Sequence, residues 1–306
     1  MPLLESNAGS VCGIVAMKTV IVLAPAKINL FLRVLGLRPD GYHEIETLFQ
    51  AVDLFDEIAL RETIGTTSIR VPGHSDLETE ANIVMRAISW LEKRTGGKLS
   101  VAISLNKKIP VAAGLGGGSS DAAAALLGMR DLFDLDLTED DLWVAARSLG
   151  ADVAFFLKGG TCVGEGIGEK LTPVDLGHDY LAVLANPGCP VSTAEVFRRY
   201  SQGLTGHFRE GRLSVLLSAR PDLEDLLHND LQAVCEAMRP EIVDIRRIME
   251  AHGATKALMS GSGPTVFGIL RESEDPGVVD RVVDSLSRQS IRHFVVNPIA
   301  GGACIV

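Results

Sequence analysis

β-Branched and apolar residues gather near the start of the chain in two runs, Thr19–Ala24 and Ile28–Leu35, which read as strands with Pro25 breaking one from the other. Dense turn chemistry follows at Gly36-Leu37-Arg38-Pro39-Asp40-Gly41, and strand-like pieces resume over Tyr42–Gln50, Asp56–Leu60 and Ser68–Val71. At Asn82 the period changes: Ile83, Ala87, Trp90 and Leu91 share one face of a helix reaching Lys93. Val101–Leu105 alternates like a half-buried strand and runs toward a glycine-rich loop, behind which Asp121–Leu127 is a strong helix former. Thr138-Glu139-Asp140-Asp141 caps a helix to about Leu149, and Gly159–Gly168 has the character of a hairpin.

The second half repeats the mixture. Tyr180–Ala185 is a strand ending in Asn186-Pro187-Gly188, and Ser192–Tyr200 is a capped helix. The polar stretch 201–212 is expected to be mobile. Helices are expected over Asn229–Met238 and over Pro240–His252, with Pro240 at the first helical position. Strands Lys256–Met259 and Thr265–Leu270 flank the glycine cluster Ser260-Gly261-Ser262-Gly263-Pro264, before a helix at Asp275–Arg288 and a strand at Ile291–Val296. The pattern is α+β, with a boundary near residues 165–180.

Composition narrows the possibilities. The 306 residues suit two domains, and a net charge of −10 argues against a general nucleic-acid or anionic-membrane binder, so positive charge for an anionic ligand has to be gathered locally. No apolar run has the length of a membrane span. The cysteines Cys12, Cys162, Cys189, Cys235 and Cys304 lie far apart with no CxxC pair, as expected of reduced thiols in a cytoplasmic protein. Residues 1–16 carry Glu5 and lack a basic region, so they read as a flexible extension before a start near Met17.

The candidate chemistry centres on Pro110-Val111-Ala112-Ala113-Gly114-Leu115-Gly116-Gly117-Gly118-Ser119-Ser120. A strand, a pliant glycine loop and a helix N-terminus in succession expose unpaired N–H groups at the positive end of a helix dipole, which suits a phosphate. The loop has neither the Gly-Lys-Ser/Thr ending nor the Rossmann pattern, so the fold is another one. Lys27 stands in an apolar window, either snorkelling to water or buried with a partner. Asp152 is similarly placed, as a turn residue after a helix or as a buried carboxylate. If the two met, the carboxylate could take a proton from a hydroxyl while the ammonium held the developing charge.

Pro-Ala-Lys-Ile-Asn-Leu-Phe-Leu (25–32), Asp-Gly-Tyr-His (40–43), the glycine loop, Gly-Ala-Asp-Val-Ala-Phe-Phe (150–156) and Gly-Ser-Gly-Pro-Thr (261–265) occur in that order. Together they resemble the GHMP small-molecule kinases over about residues 18–300. The resemblance implies an α+β two-domain fold, with a ribosomal-protein-like N-terminal domain (17–175) and a ferredoxin-like C-terminal domain (176–306), and the active site between them. It also implies ATP with Mg2+ as cofactors, Lys27 and Asp152 as catalytic residues, and a nucleotide contact at Asn82. Within the family it points to a cytidine diphosphate-linked methylerythritol as the alcohol. Tyr42 and Phe197 would stack its base, His43 would bond the base edge, and Asn29 and Thr193 would be further substrate contacts. No metal ligand is assigned, and the partners are small molecules, with the chain a monomer or a homodimer. Asp121 departs from the small residue common at its position, and either caps N–H groups or lies near magnesium.

Overall fold

A computed structural model of the chain describes residues 17–176, 180–203, 213–218, 221–271 and 273–306; the expected extension 1–16 and residues 204–212 of the polar stretch lie outside the described residues. Two long antiparallel strands, β1 (Thr19–Leu37) and β2 (His43–Glu62), form the axis of the first sheet. Pro25 does not end the first of them, contrary to expectation. It lies opposite Phe55, and the register shifts between Pro25 and Ala26, a bulge that tolerates a residue with no N–H to give. The next shift falls between Asn29 and Phe31, so the segment Lys27–Asn29 is bracketed by irregularities. The expected pieces 42–50 and 56–60 are likewise one strand.

The chain then forms β3 (Ser68–Arg70), α1 (Ile83–Thr95), β4 (Val101–Asn106), α2 (Gly117–Leu132), α3 (Glu139–Leu149), α4 (Val153–Lys158), β5 (Thr161–Gly166) and β6 (Lys170–Pro173). Strand β2 forks: Glu57–Glu62 pairs with β4, while Ile45–Gln50 pairs with β5. Helix α2 packs on β1 and β2 with α1, α3 and α4 around it. Its buried alanines, Ala122–Ala125, permit that close approach. Gly128 is the closest point, because a Cβ there would lie 2.5 Å from Leu60 Cδ1. Thr138 and Asp141 form the reciprocal cap of α3 that the sequence implies.

The second half comprises β7 (Leu181–Asn186), α5 (Thr193–Gly203), α6 (Leu213–Ser218), α7 (Leu223–Leu226), β8 (His228–Asn229), α8 (Gln232–Met238), α9 (Glu241–Ala251), β9 (Lys256–Met259), β10 (Val266–Leu270), α10 (Val278–Arg288), β11 (Arg292–Val296) and β12 (Cys304–Ile305). Its sheet has the order β11–β7–β10–β9, all antiparallel, with helices between the first and second and between the third and fourth strands in chain order, which is the ferredoxin-like arrangement. The helix expected from Asn229 begins only at Gln232. Asn229 spends its side chain elsewhere, Nδ2 donating to the Met259 and Gly261 carbonyls and Oδ1 accepting from Leu231 N–H.

The two halves meet along β1. Strands β8 and β12, late in the chain, pair with it at Phe31–Leu32 and Val22–Leu23. One apolar cluster joins Ile28, Leu30 and Leu115 of the first half to Leu184 and Phe267 of the second. Among the described residues no helix is long and apolar enough to cross a membrane.

Candidate active site

The glycine loop leaves β4 and enters α2 through backbone that only glycine adopts readily. Gly114 and Gly116 have φ of 76° and 72°, in the left-handed region. A Cβ on Gly114 would lie 2.2 Å from the Ser260 carbonyl oxygen, and one on Gly116 would lie 2.6 Å from the Phe156 ring. The loop is therefore pressed against the β9–β10 turn on one side and α4 on the other. Ser260 Oγ donates to the Gly114 carbonyl (2.9 Å), and Thr265 N–H to that of Ala113 (3.3 Å).

A cavity of about 1420 Å³ opens over this loop. Pro110, Val111, Ala112, Ala113, Gly114, Gly116, Gly117, Gly118 and Ser119 line it. Leu115 and Ser120 do not: Leu115 is buried in the core, where its carbonyl accepts from the Lys27 backbone N–H (3.0 Å), and Ser120 is fully buried. With Gly116 as N-cap and no side-chain cap bond, the first-turn N–H groups of α2 are left for an anion.

Lys27 and Asp152, far apart in sequence, face each other in the cavity wall with Nζ 3.7 Å from Oδ2. Lys27 is buried rather than snorkelling, and Asp152 opens α4 with its side chain 31% exposed. Burial pushes the Lys27 ammonium below the ordinary lysine range, and the Asp152 carboxylate opposes that shift. Nζ also donates to Asn29 Oδ1, while Asn29 Nδ2 donates to Thr47 Oγ1 (2.8 Å), which donates to the Phe31 carbonyl (2.6 Å). Asn29 lines the cavity, and its side chain is held between Lys27 and Thr47 by these bonds. Phe49 is core: its ring lies beneath Nζ at 5.5 Å. Gly261 completes the enclosure, since a Cβ there would come within 3.2 Å of Nζ. The 260–265 segment is thus both a strand–strand turn and a wall of the site.

The aromatic residues line the same cavity away from the loop. Tyr42 is 60% exposed, and the His43 and Phe197 rings lie 4.8 Å apart between centroids at 31°. His43 Nε2 is bonded to Ser201 Oγ, so the edge contact expected of this ring falls to Nδ1, and partial burial pushes its pKa down. Thr193 Oγ1 bonds Ser262 Oγ (2.8 Å) at the cavity wall. Asn82 also lines the cavity, but its side chain caps α1, accepting from Val84 N–H (2.9 Å) and donating to the Leu77 carbonyl (2.9 Å).

Sequence reasoning singled out Asp121 but missed its partners. Lys107, just before the loop, is buried between Asp56 and Asp121 and bonds both carboxylates. Asp121 thus neither caps α2 nor stands free. Asp56 also accepts from the N–H groups of Lys108 (2.6 Å) and Ile109 (2.9 Å). The available signal was Asp56 itself, a carboxylate inside the strand-like run 56–60.

Matches to known families agree with this geometry. Residues 82–160 match the GHMP kinases N-terminal domain and residues 215–291 the GHMP kinases C-terminal family. The chain belongs to the GHMP kinase family. It is 43% identical over 255 residues to the 4-diphosphocytidyl-2-C-methyl-D-erythritol kinase of Syntrophus aciditrophicus, covering 83% of this chain and 90% of that one. It is also 43% identical over 259 residues to the enzyme of the same name from Geobacter sulfurreducens, covering 84% and 92%. A crystal structure of 4-(cytidine 5'-diphospho)-2C-methyl-D-erythritol kinase superposes with a TM-score of 0.76 at 36% identity, over 92% of this chain and all of that one. A homoserine kinase from Cytophaga hutchinsonii, at 20% identity and a TM-score of 0.71, shares the fold.

Proposed function

We propose that this chain transfers the γ-phosphoryl group of ATP to the 2-hydroxyl of 4-diphosphocytidyl-2-C-methyl-D-erythritol, a step of non-mevalonate isoprenoid precursor biosynthesis in the cytoplasm. The observation that carries the reading is one cavity holding three things: an anion-binding loop, a buried Lys27–Asp152 pair at 3.7 Å, and the aromatic group Tyr42, His43 and Phe197. The names of the relatives support the choice of alcohol.

The N–H groups at Gly116–Ser119 hold the phosphates. Asp152 accepts the hydroxyl proton as the O–Pγ bond forms and the bond from Pγ to the β–γ bridging oxygen breaks, releasing ADP. Lys27 stays charged beside the attacking oxygen. Most of the acceleration then comes from positioning and charge stabilisation. Among the described residues no cluster of His, Cys, Asp and Glu could hold a metal by itself, so Mg2+ is assigned to the incoming nucleotide as MgATP. The division into domains 17–175 and 176–306 is part of the same proposal.

The test is ATP turnover with the cytidine-linked alcohol, with homoserine and with mevalonate. Turnover confined to the first supports the reading. Turnover on homoserine alone overturns the specificity, and no turnover on any of the three favours a ligand sensor built on the kinase scaffold.

A further inference from the structure

The triad Asp56–Lys107–Asp121 lies directly under the phosphate loop and has no part in the proton transfer described above. A Cβ on Gly117 would lie 3.2 Å from Lys107 Nζ, so this ammonium packs closely against the loop backbone. Lys107 and Asp121 both line the cavity, and each of the three side chains is at most 4% exposed. One lysine between two carboxylates leaves a net negative charge at the place where a polyphosphate must bind. The two carboxylates are not equivalent. Both oxygens of Asp56 are engaged, one by Lys107 and the other by two backbone N–H groups. Asp121 is bonded through Oδ2 alone (2.7 Å), and its Oδ1 is buried with no hydrogen-bond partner. An unpartnered buried carboxylate oxygen costs free energy that a proton there would relieve.

We propose that Asp121 takes up a proton when a nucleotide polyphosphate seats on Gly116–Gly118, so that the triad becomes neutral and nucleotide binding is linked to proton uptake. Asp56 keeps its bonds to Lys107 and to the Lys108 and Ile109 N–H groups, and Lys107 is the fixed cation beneath the loop. The inference rests on the ATP-site reading and adds a role for residues it does not use.

The surroundings of Asp121 support a proton on it. Burial and the neighbouring Asp56 charge push its carboxyl up to about 7 against the pull of Lys107, within reach of the further rise a bound anion would cause. The other charges on elements packed against α2 are engaged or exposed, apart from the half-buried Glu57 beside Asp56 on β2. Lys27 of β1 pairs with Asp152 at the start of α4, Arg94 of α1 is bonded to Asp141 of α3, and Arg86 of α1 is exposed.

The test is calorimetric binding of the Mg2+ complex of a non-hydrolysable ATP analogue, in buffers of different ionisation enthalpy between pH 6 and 9, with wild type and Asp121→Asn. Wild type is expected to take up a substantial fraction of one proton per nucleotide near pH 7.5, and to lose affinity as pH rises above that, approaching tenfold per pH unit. Asp121→Asn is expected to bind the analogue with a smaller dependence on buffer and pH. Tight wild-type binding without proton uptake, or equal uptake in the two proteins, overturns the proposal and leaves the ATP site standing. No binding by wild type overturns the ATP-site reading and this inference with it. If Asp121→Asn does not fold, the wild-type proton uptake alone decides.

Discussion

Asp152→Asn separates proton transfer from binding more directly than any other single change. The substitution keeps the shape of a side chain that faces Lys27 Nζ at 3.7 Å and makes no cap bond to α4, so the local fold has little to lose. What disappears is the proposed proton acceptor, worth about 10²–10⁴-fold in rate, or about 3–5 kcal/mol of barrier. A second effect follows from the pair. Unit charges about 4 Å apart interact by about 4 kcal/mol at an effective dielectric of 20. Because Asp152 is 31% exposed, solvent screens much of that, and the remainder favours the charged form of Lys27. Burial already lowers Lys27 and Asp152 opposes it, so the variant should lower Lys27 further. Stopped-flow or coupled assays should show kcat reduced by at least about two decades, with the residual rate lost at a lower alkaline pH than in wild type. The Kd for ATP should be unchanged. Near-normal kcat, or a fall in ATP affinity that accounts for the whole loss, would refute the assignment of Asp152 as the base.

Three further outcomes follow from particular contacts. Lys27→Met should abolish turnover yet raise Tm at pH 7. The depressed pKa means that the unfolded state binds the proton more tightly, so the buried charge costs stability below the ordinary value of 10.5, and the gap over wild type should narrow as pH rises; a lower Tm in the variant would contradict this. Gly114→Ala combines a left-handed φ with a backbone clash at 2.2 Å and should destabilise by about 2 kcal/mol or more, read by urea denaturation; a neutral result would mean that the loop is not clamped against Ser260. Tyr42→Ala should raise KM for the cytidine-linked alcohol by an amount matching a stacking loss of about 1–3 kcal/mol, with KM for ATP unchanged, and a change in the ATP value instead would displace the base from this ring.

Much of the site was legible because its residues are out of character where they stand. A run of glycines contributes no side chain to a core, and Lys27 and Asp152 interrupt apolar segments. Strand continuity was harder to read, because Pro25 signals a break unless its missing N–H falls at a bulge, and that depends on the partner strand. Asn229 looked like the start of a helix, while its side chain serves the turn between β9 and β10. The Asp56–Lys107–Asp121 triad was hidden for a different reason. Its members come from β2, from the loop after β4 and from α2, and nothing in the sequence pairs Asp121 with Asp56 and Lys107 until the fold buries them together.

The same reasoning explains why β1 is the strand that so much of the chain returns to. In the proposed reaction a buried ammonium is useful only if its neighbours are fixed, because misplacement of about an ångström in a reacting geometry is costly. Lys27 is fixed from several directions. Its backbone N–H is held by Leu115, its Nζ by Asn29 and by Asp152 across the cavity, and the register shifts on either side of Lys27–Asn29 re-aim the strand. Strands β8 and β12 close the flank of β1, and Asn29 N–H reaches Ser260 Oγ (3.3 Å) on the turn that also holds Gly114. The glycine loop and the Lys27–Asp152 pair are therefore braced by one turn from the second half of the chain. A substitution at Ser260 should disturb phosphate binding and catalysis together, whereas one at Asp152 should disturb catalysis alone.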